Sequence, residues 1–446
     1  MSKERHYEGN PQKNSPALGA TVAYLGINGL LALLHGSQGC STFIRLQLNR
    51  HFKEPIPLNS TALLEDTAIF GGWEHLKKGI AKAIDKFQPG IIGVMSTGLT
   101  ETFGDDLQSA LQELRQERPD LKNFPVVLSR TPDYVGSMQE GYLETVLSLL
   151  ATLSPSASQK NGLNTNPNQS SLSFTALDPS FPSTQPAIAL FPGIHLTPGD
   201  VGELKDIVSL FGFRPIVVPD VSTSLDGHTE LEPAPVVQGG TTPTDILQLP
   251  KCQAAFSFGL SMKKVGAYFQ KKYEIPHINI PSLTGLKATD NFVLALADVA
   301  QKPIPAKLRQ QRSQLLDFFA DYHDQIGGKQ IAVALETDLL YTLGTALQEV
   351  GAKVSVALGA TEHGFKEFPS SIPVQMGDLE DLEDLAGGSH LIIANSNGRQ
   401  TAAALHLPHL RAGLPVFDRA GENLKVWIGY RGSRQFLVDT LNTMAG

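Results

Sequence analysis

The chain has 446 residues, 41 % of them hydrophobic, two cysteines and a formal net charge of -8. That length exceeds what one core can hold and predicts about two to four α/β-sized units. The acidic balance excludes a general nucleic-acid binder. Two cysteines exclude a disulfide framework and point to a reducing compartment.

The opening residues, MSKERHYEGNPQKNSPALG, are polar and carry no apolar targeting core. The longest apolar stretch, around Leu30 to Leu34, is too short to span a bilayer, so the expected location is the cytoplasm, with no membrane contact. The apolar run stops at His35. HGSQGC follows, that is His35, Gly36, Ser37, Gln38, Gly39 and Cys40, and then a helical segment. Glycines let the backbone turn sharply, and successive N–H groups in such a turn can face an anion. A thiol beside such donors and a helix start ionises readily and can ligate metal. A turn carrying an inert cysteine is the plain alternative. Arg50, His51 and Lys53, in RHFKEP, are either a solvated helix end or a cationic set serving an anionic centre or partner.

GWEHLKKGIAKAIDKF (72–87) reads as an amphipathic helix and PGIIGVMST (89–97) as a buried strand. STGLTETFGDD (96–106) lies just past that strand's carboxyl end, where open α/β folds build their sites. A helix near Asp105 to Glu117 and a strand in FPVVLSR (124–130) follow. Continuous apolar strands alternating with helices imply doubly wound parallel sheets. Residues 154–186, rich in Ser, Asn, Pro and Gln, read as a linker or surface insertion. A second series begins with PAIALF (186–191), a helix from Pro198 to Phe211 and RPIVVPD (214–220). One long helix is predicted over 303–326, ending at Gly327 and Gly328. The third series is KQIAVALE (329–336), a helix near Asp338 to Val350, KVSVALG (353–359), SHLIIANS (389–396), LPVFD (414–418) and a terminal helix from Arg434 to Met444. The units are therefore 1–153, 187–302 and 303–446, joined by 154–186, with the long helix as a bridge.

Other chemistry is thin. No Walker motif occurs, and no GxGxxG follows a predicted strand. The twelve histidines include no zinc spacing, and His51 and His75 read as structural. Cys252, in PKCQAAFSF, reads as a core residue.

HGSQGC, NRHFKEP, EDTAIFGGWEHLKKGI and STGLTETFGDDL, in that order, resemble the nitrogenase component 1 superfamily. The similarity is densest over Leu18 to Leu107 and continues through HLTPGDVGEL (195–204) and KKYEIPHINIPSLTGLKATDNF (271–292). It implies three Rossmann-like domains and a β-type subunit paired with a NifE-like α subunit in an α2β2 heterotetramer. It also implies a scaffold role, without turnover of its own, in assembly of the iron–molybdenum cofactor, assisted transiently by the nitrogenase iron protein, NifH. Cys40 then matches a cysteine contributing one ligand to a [4Fe-4S] cluster shared with the partner, with residues 35–39 forming the cluster loop. Arg50, His51 and Lys53 become candidates to support that loop or the interface.

Two departures from the family pattern refine this. The nitrogenase β subunit has three cysteines at its interfacial cluster; here the first position is Ala23, the last is Gly98 or Leu99, and only Cys40 remains. The cofactor cysteine of α-type relatives falls near Phe258, Cys252 comes too early, and AGENLKVWIGYRG (420–432) has no histidine. The resemblance therefore places the cofactor precursor mainly in the partner. Two alternatives stay open: the B subunit of light-independent protochlorophyllide reductase, which typically has aspartate at the position of Cys40, and a metal-free α/β protein binding a small molecule.

Overall fold

In the computed structural model of the chain, residues 13–63, 72–155, 185–228 and 234–446 are described. The first sheet holds β1 (Leu30–Leu34), β2 (Leu58–Ser60), β3 (Ile91–Met95) and β4 (Val126–Ser129), all parallel, in the order β2-β1-β3-β4. Around it lie α1 (Pro16–Leu25), α2 (Gln38–Phe52), α3 (Trp73–Phe87), α4 (Gly98–Thr102), α5 (Leu107–Glu117) and α6 (Met138–Leu153). Every residue of β1 and β3 is buried, because helices cover both faces. Helices α1 and α6 meet almost backbone to backbone. A Cβ on Gly19 would lie 1.8 Å from the Met138 carbonyl oxygen, and one on Gly141 would lie 2.0 Å from that of Pro16.

The second sheet holds β5 (Ala187–Phe191), β6 (Arg214–Val217), β7 (Ala254–Phe258) and β8 (His277–Ile280), parallel, in the order β6-β5-β7-β8. Its helices are α7 (Pro198–Leu210), α8 (Pro243–Gln248), α9 (Lys263–Tyr273) and α10 (Leu286–Ala300). Helix α7 starts where the sequence places it, on Pro198, with Thr197 and Asp200 forming a capping box.

Helix α11 (Ala306–Ile326) is the predicted long helix and packs along the C-terminal helix. Only Leu308, Leu315 and Ile326 on it are buried. The third sheet holds β9 (Gln330–Leu335), β10 (Lys353–Gly359), β11 (Val374–Met376), β12 (Leu391–Ala394) and β13 (His409–Arg411), parallel, in the order β11-β10-β9-β12-β13. Helices α12 (Thr337–Glu349), α13 (Leu379–Leu385), α14 (Arg399–Ala404) and α15 (Gly429–Ala445) flank it. One apolar core joins all three sheets; Val22, Leu149, Phe191, Leu204, Leu340 and Phe436 belong to it.

Three expectations need correction. LPVFD is not a strand; the last strand is His409–Arg411. Pro415 has no N–H to give a ladder, and side chains take the next two: Val416 N–H goes to His51 Nδ1 and Phe417 N–H to Ser396 Oγ. Cys40 sits inside the first turn of α2 rather than before the helix. The terminal helix begins at Gly429, ahead of Arg434. The expected insertion over 154–186 lies, from 156 to 184, outside the described residues, as does EDTAIFG at 65–71. Among the described residues no helix is long and apolar enough to cross a membrane.

Candidate functional site

Strand β1 ends at Leu34, and the chain turns at once into α2. Ser37 is the cap: its backbone is extended, its Oγ accepts from Cys40 N–H at 3.4 Å and it donates to Cys40 Sγ at 3.3 Å. Cys40 is exposed, as are Gln38 and Gly39 beside it, so the thiol faces outward at the positive end of a helix dipole. Gly36 is buried and closely packed. A Cβ there would lie 2.6 Å from Thr97 Cγ2 and 3.0 Å from Thr97 Oγ1. Thr97 in turn caps α4 and donates to the His35 carbonyl at 3.2 Å. The glycine in HGSQGC thus lets the loop after β1 lie directly on the loop after β3.

The His35 side chain turns the other way. It is fully buried, with Nδ1 3.1 Å from Thr61 Oγ1 and Nε2 3.1 Å from Asp105 Oδ2. Asp105 also accepts from Gly72 N–H at 3.0 Å. His35 therefore fixes three loops from behind, while Cys40 presents its sulfur in front. Thr61 and Asp105 are the residues that sequence reading missed; Asp105 belonged to a flagged loop, yet its partner lies 70 positions away.

This edge of the sheet is unusually apolar for a surface. Phe43 lies one turn beyond Cys40, and Leu99, Phe103, Tyr134 and Val135 follow β3 and β4; all five are exposed. The carboxyl ends of β1, β3 and β4 are adjacent, since Leu34 pairs with Met95 and Met95 with Ser129. An exposed thiol set at such an edge suits burial against another protein.

Arg50, His51 and Lys53 do not join this loop. They occupy the far end of α2, roughly 16 Å along the axis from Cys40. There they grip the 416–418 segment after β13. The Arg50 guanidinium lies 3.8 Å from the Phe417 ring centroid, Lys53 Nζ is 3.5 Å from the Phe417 carbonyl, and His51 Nδ1 accepts from Val416 N–H. His75 sits half-buried on α3. Cys252 is buried just before β7, and burial pushes its thiol up to about 12. Among the described residues no three His, Cys, Asp or Glu side chains are grouped to hold a metal ion. A complete iron–sulfur centre needs about four ligands. With one exposed cysteine at this loop, the described residues offer too few donors for a complete iron–sulfur centre.

A second feature lies where the three sheets meet. A cavity there is lined by Val22 and Met138, by His195 and Thr197, by Glu336, Leu339 and Thr342, and by Trp427. It contains no cysteine, and Phe258 is a fully buried ring packed edge-on to Phe292. This lining offers no thiolate to an iron–sulfur cofactor.

A sequence profile of the family described as nitrogenase component 1 type oxidoreductase matches residues 15–445. Three curated relatives carry the name nitrogenase iron-molybdenum cofactor biosynthesis protein NifN. One from Rippkaea orientalis is 40 % identical and covers 98 % of this chain and 93 % of its own. One from Nostoc sp. is 37 % identical, covering 96 % and 91 %. One from Klebsiella pneumoniae is 32 % identical, covering 97 % and 90 %. A solved structure titled "Nitrogenase Cp1 at pH 6.5" superposes with a TM-score of 0.87 at 28 % identity, covering 100 % of this chain and 95 % of that one.

Proposed function

Since the chain belongs to the nitrogenase component 1 type oxidoreductase family, we propose that it serves iron–molybdenum cofactor biosynthesis, as its relatives' name states. In this role it is the β-like subunit of an assembly scaffold, and Cys40 is its one ligand to a [4Fe-4S] cluster shared with a NifE-like α subunit. The observation that carries this reading is the exposed Cys40 thiol, capped by Ser37 at the apolar carboxyl edge of the first sheet.

Such a cluster, when bound, supplies one-electron transfer. The rest is the work of this chain's own groups. Cys40 donates its sulfur, and the Ser37 hydroxyl points a proton at that sulfur. Thr97 and buried His35 fix the loop, so the sulfur is held in place before the partner arrives. Phe43, Leu99, Phe103, Tyr134 and Val135 exclude water once a partner covers them. The cofactor precursor is held mainly by the partner, because the cavity of this chain has no thiol to offer. The assembly is an α2β2 heterotetramer in the cytoplasm, visited by the nitrogenase iron protein. Its first unit, residues 1–153, carries the cluster ligand; 187–302 and 303–446 complete the subunit.

Anaerobic co-purification with a NifE-like partner tests the reading. Iron of about four atoms per αβ pair beyond the precursor is expected, and little or none on the chain alone. A stable [4Fe-4S] centre in the isolated chain would overturn the shared-ligand arrangement.

A further inference from the structure

The central cavity lies at two topological switch points at once. In the second sheet the strand order reverses between β5 and β7; in the third it reverses between β9 and β12. Open α/β sheets bind ligands outside the carboxyl ends of the strands at such a reversal. His195 lies in the loop after β5, and Glu336 is the residue directly after β9. Both line the cavity, together with Thr342 on α12. All three side chains are more than nine-tenths buried, and each has one polar atom without a partner: His195 Nδ1, Glu336 Oε1 and Thr342 Oγ1. Half-satisfied buried groups are costly, so three around one cavity call for an occupant.

The hydrogen-bond pattern fixes what that occupant must offer. Glu336 Oε2 lies 2.7 Å from Ser137 Oγ, which is also 2.8 Å from Glu140 Oε2. Glu140 Oε2 also accepts from the Ser137 main-chain N–H at 2.7 Å, which leaves the Ser137 hydroxyl free to donate to Glu336 Oε2. Glu336 Oε1 is left a bare acceptor, and His195 Nδ1, which lies 3.8 Å from Asp338 Oδ2, is a second one in the tautomer that carries its ring proton on Nε2. The Thr342 hydroxyl accepts as well. The other polar groups lining the cavity have partners of their own: Lys425 pairs with Glu422 at 2.7 Å, Asp200 accepts from Trp427 N–H, His51 accepts from Val416 N–H and Asn395 donates to the Leu414 carbonyl, while Leu339 and Leu343 supply apolar wall.

The charged surroundings decide between a neutral and a cationic donor. Glu140 and Asp338 both face Glu336; His195 lies 3.8 Å from Asp338 and is held neutral by burial; Lys13 is the cation acting on Glu336 from outside. Burial first, and then these two carboxylates, push the Glu336 carboxyl up to about 8. A cation relieves this crowding, and an ammonium group has three N–H donors for three acceptors. The cavity measures about 80 Å³, room for several waters and so for a ligand of about four to six heavy atoms.

The geometry points to a binding site for a small primary amine, held as ammonium on Glu336, Thr342 and His195 with a short alkyl body against Leu339 and Leu343. On binding, Glu336 gives its proton to solvent and becomes the counter-ion, while the amine keeps all its hydrogens. This site is separate from Cys40 and does not depend on the proposed scaffold role.

The test is calorimetric titration of the full chain at pH 7 with n-butylammonium chloride, run in two buffers of different ionisation enthalpy, with butan-1-ol as the neutral control. Saturable amine binding with close to one proton released per ligand is expected, together with much weaker binding of the alcohol. Glu336→Gln should abolish the proton release and weaken the amine at least about tenfold, and Thr342→Val should weaken it several-fold. Should Glu336→Gln fold poorly, the two-buffer comparison on the unaltered chain decides alone. No saturable binding means the cavity holds only water, and equal binding of amine and alcohol without proton release means a neutral ligand. Either result, or wild-type affinity in a folded Glu336→Gln, overturns the assignment.

Discussion

The main-chain N–H of Val416 donates to Nδ1 of His51 across 3.0 Å, tying the segment after β13 to the last turn of α2. That bond requires an unprotonated Nδ1. Burial is the main force lowering this imidazole to about 4, with Lys53 and Lys425 adding to it and the backbone contact to Val416 opposing. The unfolded ring titrates near ~6.5, so between these values the unfolded chain binds more protons. The stability contributed by neutral His51 is complete above that range and is lost as the pH falls toward 4. His51→Leu should cost about 1–3 kcal/mol at neutral pH, by orphaning Val416 N–H. It should also flatten the acid-side decline. Urea unfolding at three pH values measures both effects; parallel declines in variant and wild type would sink this account.

Gly36 and Thr97 form a testable pair. Gly36→Ala places a methyl 2.6 Å from Thr97 Cγ2, too close without a backbone shift. Overpacking of this kind costs about 1–3 kcal/mol. Thr97→Ser removes Cγ2 and keeps the hydroxyl that caps α4 and reaches the His35 carbonyl. The double variant should therefore recover a large part of the melting temperature lost in Gly36→Ala. No recovery would show that another contact, such as Oγ1 at 3.0 Å, dominates the clash.

Glu336 makes an opposite prediction on the alkaline side. A carboxyl held near 8 in the fold keeps its proton while the unfolded chain has lost it. The stabilisation of the neutral acid is complete below the unfolded value, near ~4.3, and disappears as pH rises through the folded value. Glu336→Gln keeps a neutral side chain at every pH. Its melting temperature should gain on wild type steadily between pH 5 and pH 9, on the order of several degrees. A constant offset across that range would mean that Glu336 is ionised in the fold.

The parts of this structure that are legible in the sequence are those with a local cause. Strands β3, β5, β9 and β12 are continuous apolar runs because helices cover both of their faces. Helix α3 shows its one-sided period, and α7 its proline and cap. Helix α1 is buried all round and so carries no period to detect. Strands β2 (LNS) and β13 (HLR) owe their pairing to neighbours, with Leu58 beside Ala32 and His409 beside Ile392. LPVFD has the apolar look of a strand, but its donors go to His51 and Ser396. The candidate site divides the same way. Cys40 and its loop stand in one motif, whereas the inward turn of His35 depends on Asp105, 70 positions on. Ser137 and Glu336 are 199 positions apart, and no spacing rule brings them together.

The two cysteines give the sharpest comparison. Cys40 is exposed and capped by Ser37; Cys252 is buried, with its thiol pushed up to about 12. In the isolated chain a thiol reagent at pH 8 should therefore label Cys40 quickly and leave Cys252 largely unreacted, since the thiolate is the nucleophile. In the complex with the α-type partner, Cys40 should be protected as well. Cys40→Ala removes an exposed sulfur whose packing is worth no more than about 1 kcal/mol, so the chain should fold and still meet its partner. On the proposed ligation, losing one of about four cluster ligands opens an iron site to solvent and oxidant. Interface iron should fall, or the low-temperature electron paramagnetic resonance signal of the reduced complex should change. Cys252→Ala should leave iron and signal as they are, because that thiol lies in the second sheet's core, away from the cavity lining and from the carboxyl edge of the first sheet. If Cys40→Ala retains wild-type iron and spectrum while Cys252→Ala loses them, the ligand assignment is wrong.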